Sequence, residues 1–495
     1  MKTNSLLRLG FILTSILFTC VVYAERFSDR PNFVIILTDD QGYSDLGVYG
    51  SPDLQTPNID KMAEEGIRFT DFYAQPSCGP SRAALLTGSY PIRVAEPNNE
   101  KNPNTTLHSK EVTIAEVLSG AGYQTALIGK WHMAGDGEEP WDFVLPPLPP
   151  GKAGGRGPFN KALMPNAQGF DYFFGTPMHN GFTKEADHHR FIVELMRNGE
   201  VVESPADVNL LTQTYTDEAI KFLQRHEDKP FFLLLSHNMP HVPLGVSEDF
   251  REKSSQGLYG DAVAELDWSV GRVLSELKRL KLENNTLVVF TSDNGPEVRA
   301  ELGDDVGKAT PLRGGKYSNW EGGVRVPAIM RWPGKITPGL VSNEIVSIMD
   351  LYPTLTKLSG GKIPEGLEID GVNIAPLLLD DLDSFQPRKS YFYYSLTTLQ
   401  AVRSGEWKLI LPRKNDSGKL LWLGKYVDTV DRAMLVNLRW DISEKQNLAD
   451  QYPKILASLM DEAHKARKEL GDYNIIGPGS RFFDTGPIRP KTFFP

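Results

Sequence analysis

Four short apolar runs, rich in β-branched and aromatic residues, place the strongest constraint on the fold. They occupy residues 32–37, 123–129, 231–236 and 286–292, and segments with helical periodicity lie between them. Apolar strands that alternate with amphipathic helices are typical of a mainly parallel sheet with helices on both faces. We therefore predict an α/β fold in which a large mixed, mostly parallel sheet is sandwiched by helices.

The helical segments carry recognisable boundary signals. Thr113 and Glu116 have the spacing of a capping box, in which each side chain bonds the backbone N–H of the other residue. A stripe of apolar residues predicts a long amphipathic helix over residues 259–281. These helices are long enough to cover the strands between which they lie.

The pattern changes near residue 385, where short alternating runs replace the continuous apolar ones. Alternation predicts an antiparallel sheet with one exposed face, and the segment 452–470 predicts a closing helix. We expect a catalytic domain over residues 25–380 and a smaller C-terminal α+β subdomain with a tail over residues 381–495.

Polar residues follow each of the four apolar runs. They are Asp39, Asp40 and Gln41 after the first run, Lys130 and His132 after the second, His237 and His241 after the third, and Asp293 and Asn294 after the fourth. Each alone is explained by turn capping or by a structural hydrogen bond. Because the carboxyl ends of parallel strands share one edge of the sheet, we expect the four groups to converge there.

The acidic and amide residues of this set indicate a cation site. Asp39, Asp40, Asp293 and Asn294 supply only oxygen ligands, which favours a hard divalent cation, Ca²⁺ more than Zn²⁺. Without a cation, clustered carboxylates would repel one another and raise their pKa values.

The N-terminus and the cysteine count indicate export. Residues 1–24 combine a short basic start with an apolar run and a small residue at the end, as in a secretory signal peptide. A lipid anchor at Cys20 is the alternative. Removal of the signal leaves Cys78 as the single cysteine, so no internal disulfide is expected.

The charge balance excludes one class of partner. The chain has 53 basic and 63 acidic residues and a formal net charge of −10, which argues against a nucleic-acid surface. A local basic pocket is still expected from Arg82, Lys130, His132, His241 and Lys316. Such a pocket suits a tetrahedral oxyanion, sulfate or phosphate.

The stretch CGPSRAALLTG, residues 78–88, resembles the C-x-P-S-R signature and L-T-G element of the type I, formylglycine-dependent sulfatases. Seven further matches accompany it in family order from about residue 31 to 450: NFVIILTDDQGYSDLGVYG, TPNIDKMAEEGIRFTDFYA, GKWHMAG, LLLSHNMPHVPL, FTSDNG, LRGGKYSNWEGGVRVPAIMRWPG and LVNLRWDISEKQNLA. The pattern leans toward the arylsulfatase A and N-acetylgalactosamine-6-sulfatase branch. The resemblance implies an alkaline-phosphatase-like fold.

The resemblance also implies a reason for the lone cysteine. In this family the motif cysteine is converted to formylglycine (3-oxoalanine) by a formylglycine-generating or anaerobic sulfatase-maturating enzyme. Modified Cys78 would then be the nucleophile as the aldehyde hydrate, and a covalent sulfated intermediate would form at the calcium site.

Roles for the other residues follow from the same resemblance. Asp39, Asp40, modified Cys78, Asp293 and Asn294 would hold Ca²⁺, and Arg82 would hold the hydrate. Lys130, His241 and Lys316 would bind sulfate, His132 would act as base, and His241 or Lys316 would protonate the departing oxygen. His241 is preferred to His237 because it lies in the H-x-P element that matches the family.

An exported sulfatase most often acts on sulfated carbohydrates, and we expect loops to set its specificity. Candidates are the segments 139–158 and 179–191 and the tail from residue 477. In the second segment His188, His189 and Arg190 are predicted to bind a uronate or a second sulfate. The alternative is a solvated surface loop.

Two other functions are open at this point. One is a phosphate or phosphonate monoester hydrolase of the same superfamily, and the other is a sulfoglycan-binding protein without catalysis. The signal peptide predicts a periplasmic or secreted protein with no stable membrane insertion.

Overall fold

A computed structural model of the chain describes residues 30–96, 106–133, 161–180, 193–298, 306–395, 398–414, 428–472 and 475–481. Its strands are β1 Asn32–Thr38, β2 Ile67–Phe69, β3 Phe72–Tyr73, β4 Ala95–Glu96, β5 Thr106–Leu107, β6 Gln124–Gly129, β7 Tyr172–Gly175, β8 Leu195–Arg197, β9 Glu200–Glu203, β10 Phe231–Ser236, β11 Thr286–Ser292, β12 Ala328–Arg331, β13 Leu340–Ser342, β14 Val346–Ser347, β15 Tyr391–Ser395, β16 Thr398–Ser404, β17 Trp407–Ile410, β18 Met434–Asn437, β19 Gly471–Asp472 and β20 Ile475–Ile476. Its α-helices are α1 Pro57–Glu64, α2 Cys78–Thr87, α3 Pro91–Val94, α4 Ile114–Gly120, α5 Leu211–Arg225, α6 Gly257–Arg279, α7 Glu321–Val324, α8 Leu351–Ser359, α9 Ala375–Leu378 and α10 Pro453–Leu470.

A ten-stranded mixed sheet occupies the centre of the molecule, in the order β13-β2-β12-β11-β1-β10-β6-β7-β8-β9. Strand β1 pairs in parallel with β10 and β11, β10 pairs in parallel with β6, and β6 with β7. The four strands predicted from the sequence therefore lie side by side in the middle of the sheet. The prediction of a large, mostly parallel sheet is confirmed.

Both faces of the central strands of this sheet are buried, as their continuous apolar sequences require. Along β1, Phe33 and Ile35 belong to one hydrophobic cluster, and Val34 and Ile36 belong to a second cluster on the opposite face. The first cluster includes residues of α2, α4 and α8, and the second includes residues of α1, α5 and α6. The molecule thus has helices on both sides of the sheet.

The predicted helix signals are confirmed. The Oγ1 atom of Thr113 accepts a hydrogen bond from the N–H of Glu116 (3.1 Å), and the Glu116 carboxylate accepts one from the N–H of Thr113 (2.7 Å). The long helix predicted over residues 259–281 is α6, Gly257–Arg279.

The C-terminal part of the chain forms the predicted antiparallel sheet, in the order β15-β16-β17-β18, and helix α10. Leu399, Leu409 and Leu435 from this sheet and Leu459 from α10 belong to the same hydrophobic cluster as one face of the large sheet. The two sheets therefore share a core.

A buried ionic network connects strand β17 of the small sheet to helix α7 and the residues before it. The ammonium of Lys408 on β17 lies 2.9 Å from Oε1 of Glu321 and 2.8 Å from Oε1 of Glu444, and it donates a hydrogen bond to the carbonyl of Asn319 (2.8 Å). All three charged side chains are fully buried. Burial favours the neutral form of Glu321, but the charge of Lys408 and nearby arginines outweighs burial and lowers its pKa to about 2.

This network predicts a large cost for removing its central cation. We expect Lys408→Met to lower the free energy of unfolding by about 3 to 5 kcal/mol, because it removes the buried cation that Glu321 and Glu444 share and leaves Glu444 without this ion pair. Urea unfolding followed by fluorescence measures the change.

Lys389→Met is the matched control. The Lys389 side chain is 79% exposed and its ammonium lies 3.3 Å from Glu462, so its loss should cost about 0 to 1 kcal/mol. Equal effects of the two substitutions would contradict the prediction.

Candidate active site

The carboxyl ends of the central strands bring the predicted polar residues to one edge of the sheet. Asp39 and Asp40 follow β1, Lys130 and His132 follow β6, His241 lies beyond β10, and Asp293 and Asn294 follow β11. Direct contacts then join residues that are far apart in the chain. The ammonium of Lys130 ion-pairs with Asp39, and that of Lys316 lies 2.7 Å from Oδ2 of Asp40.

Helix α2 presents the cysteine to these carboxylates. The Sγ atom of Cys78 lies 3.2 Å from Oδ1 of Asp39 and 3.6 Å from Oδ1 of Asp40. The extended backbone ends at Ser77, and Cys78 is the first helical residue. The thiol is therefore held at the first turn of the helix.

Arg82 lies one helical turn beyond Cys78 and points back toward the same cluster. Its Nε and Nη2 atoms donate hydrogen bonds to Oδ2 of Asp293 at 3.1 and 2.8 Å. Its Nη1 atom donates to the carbonyl of Lys130 (2.9 Å) and to the hydroxyl of Ser236. One guanidinium thus ties α2 to the ends of β6, β10 and β11.

The oxygen atoms at this edge fit a hard divalent cation. The side chain of Asn294 donates from Nδ2 to Asp40 (2.7 Å), while its Oδ1 atom is buried and has no hydrogen-bond partner among the described residues. Ligand atoms of Asp39, Asp40, Cys78 and His241 lie within 4.8 Å of one another. An orphaned carbonyl oxygen beside buried carboxylates is the donor set that Ca²⁺ prefers.

Each of the three carboxylates at the edge lies beside a buried cationic side chain. Asp39, Asp40 and Asp293 face Lys130, Lys316 and Arg82 in buried pairs. Burial raises the pKa of Asp39, but Lys130, His241 and Arg82 outweigh it and hold the pKa well below its usual value. Burial and the charge of Asp39 raise the pKa of Asp293 to about 7.

The environment of the site favours the neutral forms of the Cys78 thiol and of the His132 and His241 imidazoles. Burial and the carboxylates of Asp293 and Asp39 raise the pKa of the Cys78 thiol well above its ordinary value. Burial and the charge of Lys130 lower the pKa of His132 well below its ordinary value, and burial with Lys316 lowers that of His241 to about 3. A thiolate is therefore disfavoured, whereas a neutral imidazole is available to accept a proton.

The histidines separate into two groups. His241 lies 3.7 Å from Oδ2 of Asp40, and both ring nitrogens of His132 are buried without a hydrogen-bond partner in the described part of the chain. His237 instead shares a hydrogen bond with the hydroxyl of Ser269 on α6 (3.1 Å). The structure thus brings His132 and His241 to the site and gives His237 a structural partner.

The backbone at the site is constrained. Asp40, His132 and Tyr317 have φ values of 64°, 68° and 69°, in the left-handed region that non-glycine residues seldom adopt. At Gly129, φ is +115° and an added Cβ would lie 1.8 Å from the carbonyl oxygen of Ser236. Residue 129 must be glycine for Lys130 to leave β6 in this direction.

Sequence reasoning missed two polar neighbours of the site. Ser236, the last residue of β10, bonds Arg82 and the carbonyl of Lys130, and a polar residue at the end of an apolar strand is a signal that could have identified it. The carboxylate of Glu297 lies 3.6 Å from the ammonium of Lys316, and nothing in its sequence context distinguishes it. The predicted substrate residues His188, His189 and Arg190 and the segment 139–158 lie outside the described residues.

Family models match most of the chain. One, described as Sulfatase, matches residues 31–361, and another, described as N-sulphoglucosamine sulphohydrolase, C-terminal, matches residues 316–469. Among curated proteins, the chain is 32% identical to steryl-sulfatase of Homo sapiens, with 94% of this chain and 92% of that protein covered. It is 39% identical to N-acetylgalactosamine-6-sulfatase of Mus musculus, with 76% and 71% covered.

Solved structures of sulfatases are also similar to this chain. A sulfatase from Pseudoalteromonas sp. superposes with a TM-score of 0.74 at 29% identity, covering 92% of this chain and 94% of that one. A structure in complex with k-i-k-neocarrahexaose superposes with a TM-score of 0.69 at 29% identity, covering 88% and 92%.

The orphaned oxygen of Asn294 predicts a measurable cation response. We expect Ca²⁺ to raise the thermal unfolding midpoint of the protein, since an ion at about 100 times its Kd stabilises the folded state by about 2.7 kcal/mol. Asn294→Leu should remove most of this rise, whereas Asn294→Asp, which keeps a ligand oxygen, should retain it. A midpoint that responds equally to NaCl of the same ionic strength would contradict the prediction.

Proposed function

The chain belongs to the sulfatase family, and from this premise we propose that it is an exported enzyme that hydrolyses sulfate monoesters of carbohydrates by means of a modified Cys78. The reaction class, sulfuric ester hydrolysis, follows from family membership. The observation that carries the proposal is the position of Cys78, whose Sγ atom lies 3.2 Å from Asp39 at the mouth of a helix and among buried carboxylates and cations.

A plain thiolate is a poor candidate for the nucleophile, because burial and neighbouring carboxylates raise the pKa of the thiol. We therefore assign Cys78 as the precursor of formylglycine, made by a formylglycine-generating or anaerobic sulfatase-maturating enzyme. The hydrated aldehyde would supply a hydroxyl nucleophile, and Ca²⁺ held by Asp39, Asp40, Asp293 and Asn294 would lower the pKa of that hydroxyl and neutralise sulfate charge.

The charged residues around position 78 have distinct tasks in this proposal. Arg82 is fixed by Asp293 and by the carbonyl of Lys130, so it can hold the group at position 78 in one orientation. Lys130 and Lys316 are buried ammonium groups that would bind the sulfate oxygens. Burial lowers the pKa of Lys316, but Asp40 outweighs burial and raises it, so this charge persists at neutral pH.

The two histidines would move protons. Both ring nitrogens of His132 are buried and lack hydrogen-bond partners in the described structure, so this imidazole is the group that we propose as base for the nucleophile. His241 and Lys316 both lie beside Asp40, and one of these two groups would donate a proton to the departing oxygen. Of the two, Lys316 is the protonated group in this environment, because Asp40 outweighs burial and raises its pKa, whereas burial lowers that of His241.

The relatives support the substrate class. N-acetylgalactosamine-6-sulfatase is named for a sulfated amino sugar, one structural neighbour holds a neocarrahexaose, and steryl-sulfatase is named for a sterol ester. We propose a sulfated carbohydrate for this chain, with His188, His189 and Arg190 as candidates for binding a second acidic group. A panel that includes both sugar and steryl sulfates distinguishes the two classes.

Location and domain organisation complete the proposal. We assign residues 1–24 to a signal peptide, residues 25–380 to the catalytic domain and residues 381–495 to a C-terminal subdomain, with a periplasmic or secreted destination. Among the residues that the structure describes, no helix has both the length and the hydrophobicity to cross a membrane.

The modification of Cys78 can be tested directly. In protein from its native source, or made together with a sulfatase-maturating enzyme, the tryptic peptide FTDFYAQPSCGPSR (residues 69–82) should have lost one sulfur and two hydrogen atoms and gained one oxygen atom. Mass spectrometry of this peptide measures the change.

Cys78→Ser should lower turnover of 4-nitrophenyl sulfate by about three orders of magnitude or more, because serine offers no second hydroxyl. An alkylatable thiol in fully active protein would contradict the mechanism.

The reaction class has its own test against the phosphatase alternative. We expect kcat/KM for 4-nitrophenyl sulfate to exceed that for 4-nitrophenyl phosphate by about tenfold or more in the mature enzyme, because the chain belongs to a family of sulfuric ester hydrolases. A higher value for the phosphate ester would favour a phosphate monoester hydrolase. Retention of a sulfated glycan without sulfate release, by protein shown to carry the aldehyde, would favour a binding protein.

A further inference from the structure

We propose that His179 is a specificity-determining residue, which hydrogen-bonds the sugar that carries the sulfate. This inference rests on the proposed function and adds a contact to the alcohol part of the substrate. It starts from a cluster of three imidazoles. The ring of His179 contacts those of His132 and His241, with centroids 5.4 Å and 5.5 Å away.

The segment that carries His179 is fixed on both sides. After β7 ends, Thr176 and Pro177 accept backbone hydrogen bonds from the N–H groups of Trp131 (2.9 Å) and His132 (3.0 Å). These bonds attach residues 176–177 to the loop that carries the proposed base.

Asn180, the residue after His179, attaches the segment to the loop that carries His241. Its Nδ2 atom donates to the carbonyls of His241 (3.0 Å) and Pro243 (2.8 Å), and the Asn180 side chain is buried. His179 is therefore held between the loop of the base and the loop of the sulfate-binding histidine. Its ring stacks on His241 at an interplanar angle of 25° and meets His132 edge-on at 76°.

The solvent exposure of the three histidines places His179 on the solvent side of the imidazole cluster. Asp39 and Lys130 are fully buried, His132 and His241 are 6% and 5% exposed, and His179 is partly exposed. The sulfate group must enter toward the buried cations, so the ester oxygen and the alcohol attached to it face the opening. Among the three imidazoles of the cluster, that of His179 is the partly exposed one and lies nearest to the alcohol in this arrangement.

The chemistry of this group favours a sugar over a sterol. An imidazole nitrogen donates or accepts a hydrogen bond depending on its protonation, and a hydroxyl group beside a sugar sulfate can pair with it in either role. The ring carbons beside a steryl or aryl sulfate offer no such group. A site that hydrogen-bonds a substrate hydroxyl discriminates against an analogue that lacks it.

The test compares substrates within each variant. We would measure kcat/KM of mature wild-type, His179→Ala and His179→Gln proteins for 4-nitrophenyl sulfate and for galactose, glucose and N-acetylhexosamines sulfated at O3, O4 or O6. The ratio of the best sugar sulfate to 4-nitrophenyl sulfate should fall by about tenfold in H179A, the value of one neutral hydrogen bond. H179Q, which keeps an amide donor and acceptor, should recover part of the ratio.

His226→Ala is the matched control. His226 is also partly exposed and also packs against an aromatic ring, that of Phe222, but it lies at the end of α5. Its substitution should leave the ratio unchanged. Thermal unfolding of each variant checks that the fold is kept, and H179Q serves if H179A does not fold.

Several results would overturn the inference. They are an unchanged ratio in both His179 variants, an equal loss on sugar and aryl sulfates, and a wild-type enzyme that cleaves 4-nitrophenyl sulfate but none of the sugar sulfates. Hydrolysis of no sulfate ester by protein that carries the aldehyde would instead contradict the proposed function itself.

Discussion

The structure depends on the confinement of three carboxylates at one edge of a buried sheet. Asp39, Asp40 and Asp293 are almost completely inaccessible to solvent, and each faces a buried cationic side chain. Removing such charges from water costs several kcal/mol per ion unless partners compensate. The fold meets this requirement by drawing a cation from α2, one from the end of β6 and one from the loop before α7.

This requirement also explains why the small sheet is tied to the large one. Lys316 reaches Asp40 from a loop whose next residue, Tyr317, donates its N–H to the carbonyl of Pro76, directly before α2. The same loop leads into Glu321, which Lys408 of β17 holds in place. The C-terminal sheet thus supports one of the three cations that balance the site, in addition to sharing a hydrophobic core.

The sequence alone predicts those site residues that lie at the ends of recognisable strands. It does not predict residues whose role depends on contacts between distant segments. Continuous apolar strands identify a buried parallel sheet, and parallel strands place their ends at one edge, so the sequence alone groups Asp39, Lys130 and Asp293. Lys408 could not be found this way, because the alternating strand that carries it does not tell which face is buried. Glu297 escapes for a related reason, since its contact with Lys316 crosses between loops and follows no periodic pattern. The sequence does include His179 in the candidate segment 179–191, but it gives no sign of the contacts that His179 makes with His132 and His241.

The site divides into a deep part and a rim, and the two are subject to different constraints. In the deep part, Gly129 has no room for a side chain, Asp40 and His132 adopt strained backbone conformations, and each charge has a partner, so substitution there disturbs several contacts at once. At the rim, His179 contacts His132 and His241 through its ring, and its neighbours Pro177 and Asn180 bond the backbone of the loops on either side. The backbone bonds of its neighbours do not depend on the imidazole, so a substitution at residue 179 leaves them in place.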